Sequence, residues 1–195
     1  NYLKIFIFLF ILMSNNNNIL TIQTVQITPF RTLMTALKDI LIEANIIFLK
    51  EGIKICSMDK SHTILVHLFL DASNFEKFEC KQNKIIICVN MIQLFKVINT
   101  IDNDDTLTIY IENDDFHDGI VQNLGLKFEN GTIKQCKTQK LRLIDPDPDE
   151  LSIPAIQYSY VINLPSSDFQ KIIRDLNCLS DRVEISSVGS ELIFK

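Results

Sequence analysis

The residues of this chain with the chemistry for catalysis or metal binding are three histidines, five cysteines and a few acidic clusters. His62 and His67 lie in strand-like sequence. An odd spacing there places side chains on opposite faces, so the two do not form a ligand pair. Asp59, Ser61 and His62 are the residue types of a nucleophile with its base and orienting acid. Adjacency in sequence does not supply the geometry of a triad, however. The run Asp102-Asn103-Asp104-Asp105 opens like a calcium loop. It lacks the glycine at loop position six and the glutamate at position twelve, so it reads as a solvated turn. The cysteines at 56, 80, 88, 136 and 178 are odd in number and contain no CxxC pair. Neither a zinc ribbon nor a disulfide framework follows, and they read as buried reduced thiols of an intracellular protein. No GxSxG, HExxH, phosphate-binding loop or GxGxxG is present. The expectation is a protein with no catalytic residue, no metal and no cofactor, that is, not an enzyme.

A different chemistry is carried by basic residues at helical spacing. Arg31 and Lys38, then Lys96, then Lys171 and Arg174 each lie off the apolar stripe of an amphipathic segment. On one helix this would be an ordinary solvated face. Three equivalent helices related by repetition would align their basic faces into one surface. The chain as a whole is acidic, with a formal net charge of −5. An acidic body with one basic surface suits a polyanion that is enclosed or ridden upon, and excludes a protein coated in basic charge. These helix faces carry no aromatic stacking partners and no Asn/Gln cluster, so the expected contact is with phosphates, not bases.

The elements that must position these residues repeat one unit, a helix followed by strands. The chain has 195 residues, 47% of them hydrophobic and 22% charged, enough for one domain and part of another. The first copy reads as a strand at 20–27, a helix at 29–44 started by Thr28-Pro29, and strands at 46–49, 53–58, 63–70 and 74–80. The second has a strand at 84–90, a helix at 91–99, and strands at 106–112, 120–129 and 133–144, with a turn at Asn130-Gly131. The sequon Asn130-Gly131-Thr132 is part of that turn. The third has a strand at 158–164, a helix capped by residues 165–168 and running to 177, and strands at 183–187 and 192–195. The fold class is α+β, built of helix-plus-antiparallel-strands units.

Two segments stand outside the repeat. Residues 143–154, LIDPDPDELSIP, hold three prolines, so they read as an extended linker. Leu151 and Ile153 are apolar within it, and either tuck onto their own domain or form part of a docking site. At the other end, the apolar run Ile5–Met13 is shorter than the roughly 20 residues that cross a bilayer. No small-residue cleavage site follows it. Met13 reads as the start, with translated upstream sequence before it.

Taken together, Ser57-Met58-Asp59-Lys60-Ser61-His62, Leu65-Val66-His67-Leu68 and Phe75-x-x-Phe78-x-Cys80 closely resemble the eukaryotic-type DNA sliding clamp, the PCNA family. So do Ala36-Leu37-Lys38-Asp39, the linker LxDxDxxxLxIP, Tyr158-Ser159, Leu164-Pro165-Ser166, Phe169 and Arg174-Asp175-Leu176. The resemblance runs from about Thr24 to Lys195, and the Asn/Ile-rich, cysteine-containing version looks like a divergent, viral-like member.

The resemblance implies a homotrimeric ring whose helices line a hole around duplex DNA and whose sheets form the outer wall. It implies a processivity factor that holds DNA polymerase and other replication and repair proteins on DNA, and that a clamp loader places there. Arg31, Lys38, Lys96, Lys171 and Arg174 match inward-facing basic positions, while Thr32 and Asn99 stand where the family often has lysine. Partners insert a helical turn bearing one aliphatic and two aromatic side chains under the linker. Met58, His62, Leu65, Leu151 and Ile153 match part of that pocket.

The domains expected are an N-terminal extension at 1–19, a clamp N-terminal domain at 20–144, a linker at 145–157 and the start of a C-terminal domain at 158–195. The fourth unit is missing, so the chain reads as C-terminally truncated and is expected not to form a stable ring alone. Gly189 occupies the position of the family's ubiquitin-accepting lysine. The alternative within the fold is one subunit of a heterotrimeric checkpoint-type clamp. No membrane association is expected, and the place of work is the nucleus or a viral replication site in the cytoplasm.

Overall fold

The structure is a computed structural model that describes residues 17–146, 151, 157, 161–189 and 191–195. The apolar run at 5–13, Ile153 and most of the linker lie outside the described residues. The chain divides into two units, Asn1–Ser152 and Ile153–Lys195.

The first unit is α+β, as the sequence pattern implies. Its elements are β1 (Asn18–Thr24), α1 (Ile27–Ile40), β2 (Glu43–Leu49), β3 (Gly52–Met58), β4 (Leu65–Asp71), β5 (Lys77–Cys80) and β6 (Lys84–Asn90). There follow α2 (Met91–Ile98), β7 (Thr106–Glu112), the short pair β8 (Phe116–His117) and β9 (Ile120–Val121), β10 (Asn123–Asn130) and β11 (Gln135–Arg142). One antiparallel sheet has the order β11-β10-β7-β1-β5, the other β4-β3-β2-β6. The helices α1 and α2 pack beside each other.

The core lies between the helices and the two sheets. Met34 and Leu37 of α1 and Met91, Leu94 and Ile98 of α2 are buried there. They meet Leu20 and Ile22 of β1, Ile46 and Phe48 of β2, Ile85 and Ile87 of β6, and Leu107, Ile109 and Ile111 of β7. In β7 burial alternates strictly, which sends Thr106, Thr108, Tyr110 and Glu112 to the outside. Each fully buried Leu or Ile contributes about 1.5–3 kcal/mol of transfer free energy.

The second sheet differs. Ile47, Cys56 and Cys88 are buried without belonging to that core, whereas Cys136 and Cys178, expected to be buried, are exposed and Cys80 is partly so. The first three sit on the outer face, beneath the chain that follows β11. Ile144 bridges Cys88, and the Cys56 thiol donates to the Leu151 carbonyl at 3.6 Å. A strand covered on both faces reads as a continuous apolar run, which explains IIICV and NIIFL.

Several boundaries differ from the sequence reading. The helix expected to run to 44 ends at Ile40, and Leu41 is already extended. Residues 43–45 pair with Cys88–Asn90, so sheet hydrogen bonds outweigh a helical period that continues through Ala44. The same helix begins at Ile27, and Pro29 lies inside its first turn, where a missing N–H costs nothing. The last strand of the domain starts at Gln135, because Asn130 pairs with Gln135 across a four-residue loop, 131–134. The Asn130 carboxamide accepts from the N–H groups of Thr132 and Ile133 and donates to Asp105. Asp105 is buried rather than solvated. It also accepts the Asp102 N–H at 3.1 Å, which explains the acidic run as a self-closed turn.

In the second unit, α3 (Ser166–Asn177) has Asp168 in its first turn and Arg174 in its last, each matched to the helix dipole. The strands β12 (Ile185–Val188) and β13 (Glu191–Phe194) pair antiparallel. The strand expected at 158–164 falls partly outside the described residues, and 161–165 have no regular structure.

Candidate functional site

Two surfaces of the first unit carry the residues singled out from the sequence. The first is the helix pair. Lys96 is exposed on α2 and makes no ion pair among the described residues. Lys38, on α1, is half-buried. Its Nζ pairs with the neighbouring Asp39 carboxylate and lies 4.8 Å from the centroid of the Phe95 ring on α2. The aromatic face holds the ammonium near the seam between the helices. Arg31 is turned to a third position. Its Nη1 donates to the Asn103 side-chain oxygen at 2.9 Å and its Nη2 to the Ile101 carbonyl, both in the turn after α2. Its Nε is buried without a partner. The helix wheel places all three off the apolar stripe, but only Lys96 presents its charge unpaired. Lys171 and Arg174 are both exposed on α3 of the second unit.

The second surface is a cleft beside the linker. A cavity of about 340 Å³ is lined by Glu43, Ala44, Asn45, Cys56, Ser57, Met58, His62, Cys88 and Leu151. A neighbouring one of about 400 Å³ is lined by Ile42, Glu43, Met58, Asp59, Lys60 and His62. Glu43, Met58 and His62 belong to both. The structure therefore brings together three of the five expected partner-binding residues, Met58, His62 and Leu151. Leu65 stands beside them, paired in register with Met58 at the start of β4 and 41% exposed, but it lines neither cavity.

The turn between β3 and β4 shapes this cleft. The Asp59 carboxylate accepts the N–H groups of Thr63 at 2.8 Å, Ile64 at 2.7 Å and Ser61 at 3.1 Å. The Ser61 hydroxyl donates to it as well. These hydrogen bonds, that of the Ser61 hydroxyl first, hold the Asp59 carboxyl well below the usual carboxylate range. The Asp59, Ser61 and His62 cluster is thus a hydrogen-bonded turn. His62 does not lie in a strand, contrary to the alternation argument. It sits in this turn with φ 56°, and His67 lies alone in mid-β4.

Cys56 and Cys88 were missed as site residues. The signal was available for Cys56: residues 54, 56 and 58 alternate onto one face of β3, the face that carries Met58. Cys88 reaches the cleft only because β2 separates β6 from β3, with Asn45 of β2 opposite Cys88. Among the described residues no group of three or more His, Cys, Asp or Glu is placed to hold a metal ion. No helix of the described residues is long and apolar enough to cross a membrane.

Comparison with known families agrees with this arrangement. Residues 19–150 match the model of the proliferating cell nuclear antigen N-terminal domain. Residues 152–195 match that of the proliferating cell nuclear antigen C-terminal domain. The two matches follow each other in order and divide within two residues of the boundary between the structural units. With two sheets backing a helix pair and a cleft beside the linker, this chain belongs to the proliferating cell nuclear antigen family of sliding clamps.

Proposed function

We propose that this chain is a subunit of a ring that encircles duplex DNA without reading its sequence and tethers DNA polymerase and other replication and repair proteins. The observation that carries this reading is the succession of two clamp domains in one chain, each with a helix that bears exposed basic residues. Lys96 on α2 and Lys171 and Arg174 on α3 face solvent with long, flexible side chains, which suits transient phosphate contact. A clamp needs contacts that slide, so weak and sequence-blind charge is a functional property here. A homotrimer placed by a clamp loader is the assembly this implies. Its place of work is that of the DNA it serves, in the nucleus or in a viral replication site.

The cleft beside Leu151 is the proposed docking site for partner proteins. Met58 and Leu151 supply apolar surface and His62 a wall, and the cavities are of the size that takes one or two side chains each. The partner expected is a peptide that presents an aliphatic and two aromatic side chains on one helical turn.

The test is retention on DNA. The clamp, made with the chain carried on through its fourth unit, is loaded by a clamp loader onto a nicked circular duplex and washed at high salt, and the circle is then linearised. A topological ring stays through the wash and is lost on linearisation. Equal retention on circular and linear DNA overturns the reading.

A further inference from the structure

Six residues separate the end of β3 at Met58 from the start of β4 at Leu65, and they wrap around one carboxylate. The Asp59 backbone joins in: its N–H donates to the Ile64 carbonyl at 2.9 Å, and its carbonyl accepts the His62 N–H at 3.0 Å. The consequence falls on His62, whose φ of 56° lies in the left-handed region, which a few per cent of residues with a Cβ adopt, histidine among the commoner of them. His62 makes no hydrogen bond to the Asp59 carboxylate itself. It is the residue around which the other three N–H groups are gathered. Its side chain borders both cavities of the cleft, as does Met58 just before the turn.

We infer that Asp59 is a positioning residue for partner binding: by gathering the N–H groups of Ser61, Thr63 and Ile64, its carboxylate holds His62 in the left-handed conformation that places it, with Glu43 and Met58, in the wall shared by the two cavities. This rests on the reading of the cleft as a peptide-docking site. The carboxylate stays ionised through the whole physiological range, since hydrogen bonds from Ser61, Ile64 and Thr63 all favour its charged form. Across that range the turn is therefore set independently of pH. The Ser61 hydroxyl donates to the carboxylate and shares a hydrogen bond of 2.6 Å with the Thr63 hydroxyl, which closes the ring of contacts. Loss of the carboxylate releases three N–H groups at once into a loop with a strained residue at its centre, and the loop then relaxes toward right-handed conformations.

The experiment titrates a synthetic peptide, bearing an aliphatic and two aromatic side chains on one helical turn, into the protein by calorimetry. The proteins are wild type, Asp59→Ala, Asp59→Asn, His62→Ala and the double variant. Asp59→Ala is expected to weaken binding by at least about tenfold, the loss of hydrogen bonds to a charged group. Asp59→Asn, whose amide oxygen still accepts, is expected to lose less, and it serves where the alanine variant folds poorly. The double variant is expected to bind no more weakly than His62→Ala, because the two residues act through one another. The three-bond HN–Hα coupling of His62, measured without peptide at a temperature where the variant is still folded, is expected to leave its left-handed value in Asp59→Ala. Wild-type binding with unchanged affinity in Asp59→Ala, additive losses with His62→Ala, or an unchanged His62 coupling overturns the inference. Wild-type protein that binds no peptide overturns the docking reading itself, and the inference with it.

Discussion

The Arg31 guanidinium on α1 donates to the Asn103 side-chain oxygen at 2.9 Å, so the turn that follows α2 is tied to the helix beside it. The second arm of the fork donates to the Ile101 carbonyl. The two residues are far apart in sequence, and the contact closes the helix pair at one end. Arg31→Ala is expected to cost about 1–2 kcal/mol and to lower the melting temperature by about 3–6 °C. Arg31→Lys recovers less than half of the loss, because an ammonium cannot fork between two acceptors. Thermal unfolding followed by circular dichroism checks both. A lysine variant as stable as wild type contradicts the account.

Lys96 is the basic residue of the helix pair whose charge is exposed and unpaired among the described residues. Lys96→Ala is therefore expected to weaken DNA association and to reduce the slope of log K against log salt by about 1 for each subunit. Arg31→Ala changes that slope less. Fluorescence anisotropy on a duplex at a series of salt concentrations measures it, and equal slopes for the two variants rule this assignment out.

Gly52 opens β3 at a turn where two strands come very close. A Cβ there would lie 2.1 Å from the Leu70 carbonyl oxygen, and φ is 154°. The neighbour is backbone, paired with β3 in the ladder, and cannot swing away. Gly52→Ala is expected to destabilise the unit by about 3 kcal/mol, the upper range for overpacking. Denaturant unfolding gives the value, and a change below about 1 kcal/mol shows that the turn adapts.

Acid stability rests on carboxylates whose folded pKa values are lowered. Asp59 and Asp71 are held down by hydrogen bonds from Ser61 and Ser73. For Asp115, burial pushes upward, but the hydrogen bonds from Asn123 at 2.8 Å and Lys140 at 3.0 Å outweigh it. The Lys140 pKa is raised in turn, by Glu112 first and then by Asp115. A lowered carboxylate contributes stability above its unfolded pKa, about 4, and loses it as pH falls through the folded value. The raised lysine contributes below its unfolded pKa, about 10.4, and loses that contribution only at higher pH. Melting temperatures are therefore expected to hold from about pH 5 to neutrality and to fall below about pH 4. Asp115→Asn flattens the acid limb. An acid limb identical to wild type in that variant removes Asp115 from the explanation.

Much of the fold was legible locally. The strands β6 at 84–90 and β7 at 106–112 have the boundaries that alternation and β-branched composition indicate. The helix α2 starts where expected, because Asn90 caps it by accepting the Gln93 N–H, and ends one residue earlier, at Ile98. The repeated helix-and-strand periods indicated the α+β class, and the resemblance of the motifs pointed to the family. These features depend on neighbours within a few residues, and such neighbours are written side by side in the chain.

Tertiary structure decided the rest. Residues 43–45 continue a helical period, and only their pairing with β6 makes them strand. A helical wheel shows that Arg31 is off the apolar stripe, but it cannot show that the turn at 101–103 comes within reach of the guanidinium. Cys88 enters the cleft because β2 lies between β6 and β3, a strand order that no local period encodes. Asp59, Ser61 and His62 announced themselves as a group. Whether the group was a nucleophile or a turn depended on where the N–H groups of Thr63 and Ile64 point. Hydrophobic period and capping residues act through local sterics and are readable one segment at a time. Which charge is paired and which cavity forms depends on segments brought together only when the core closes.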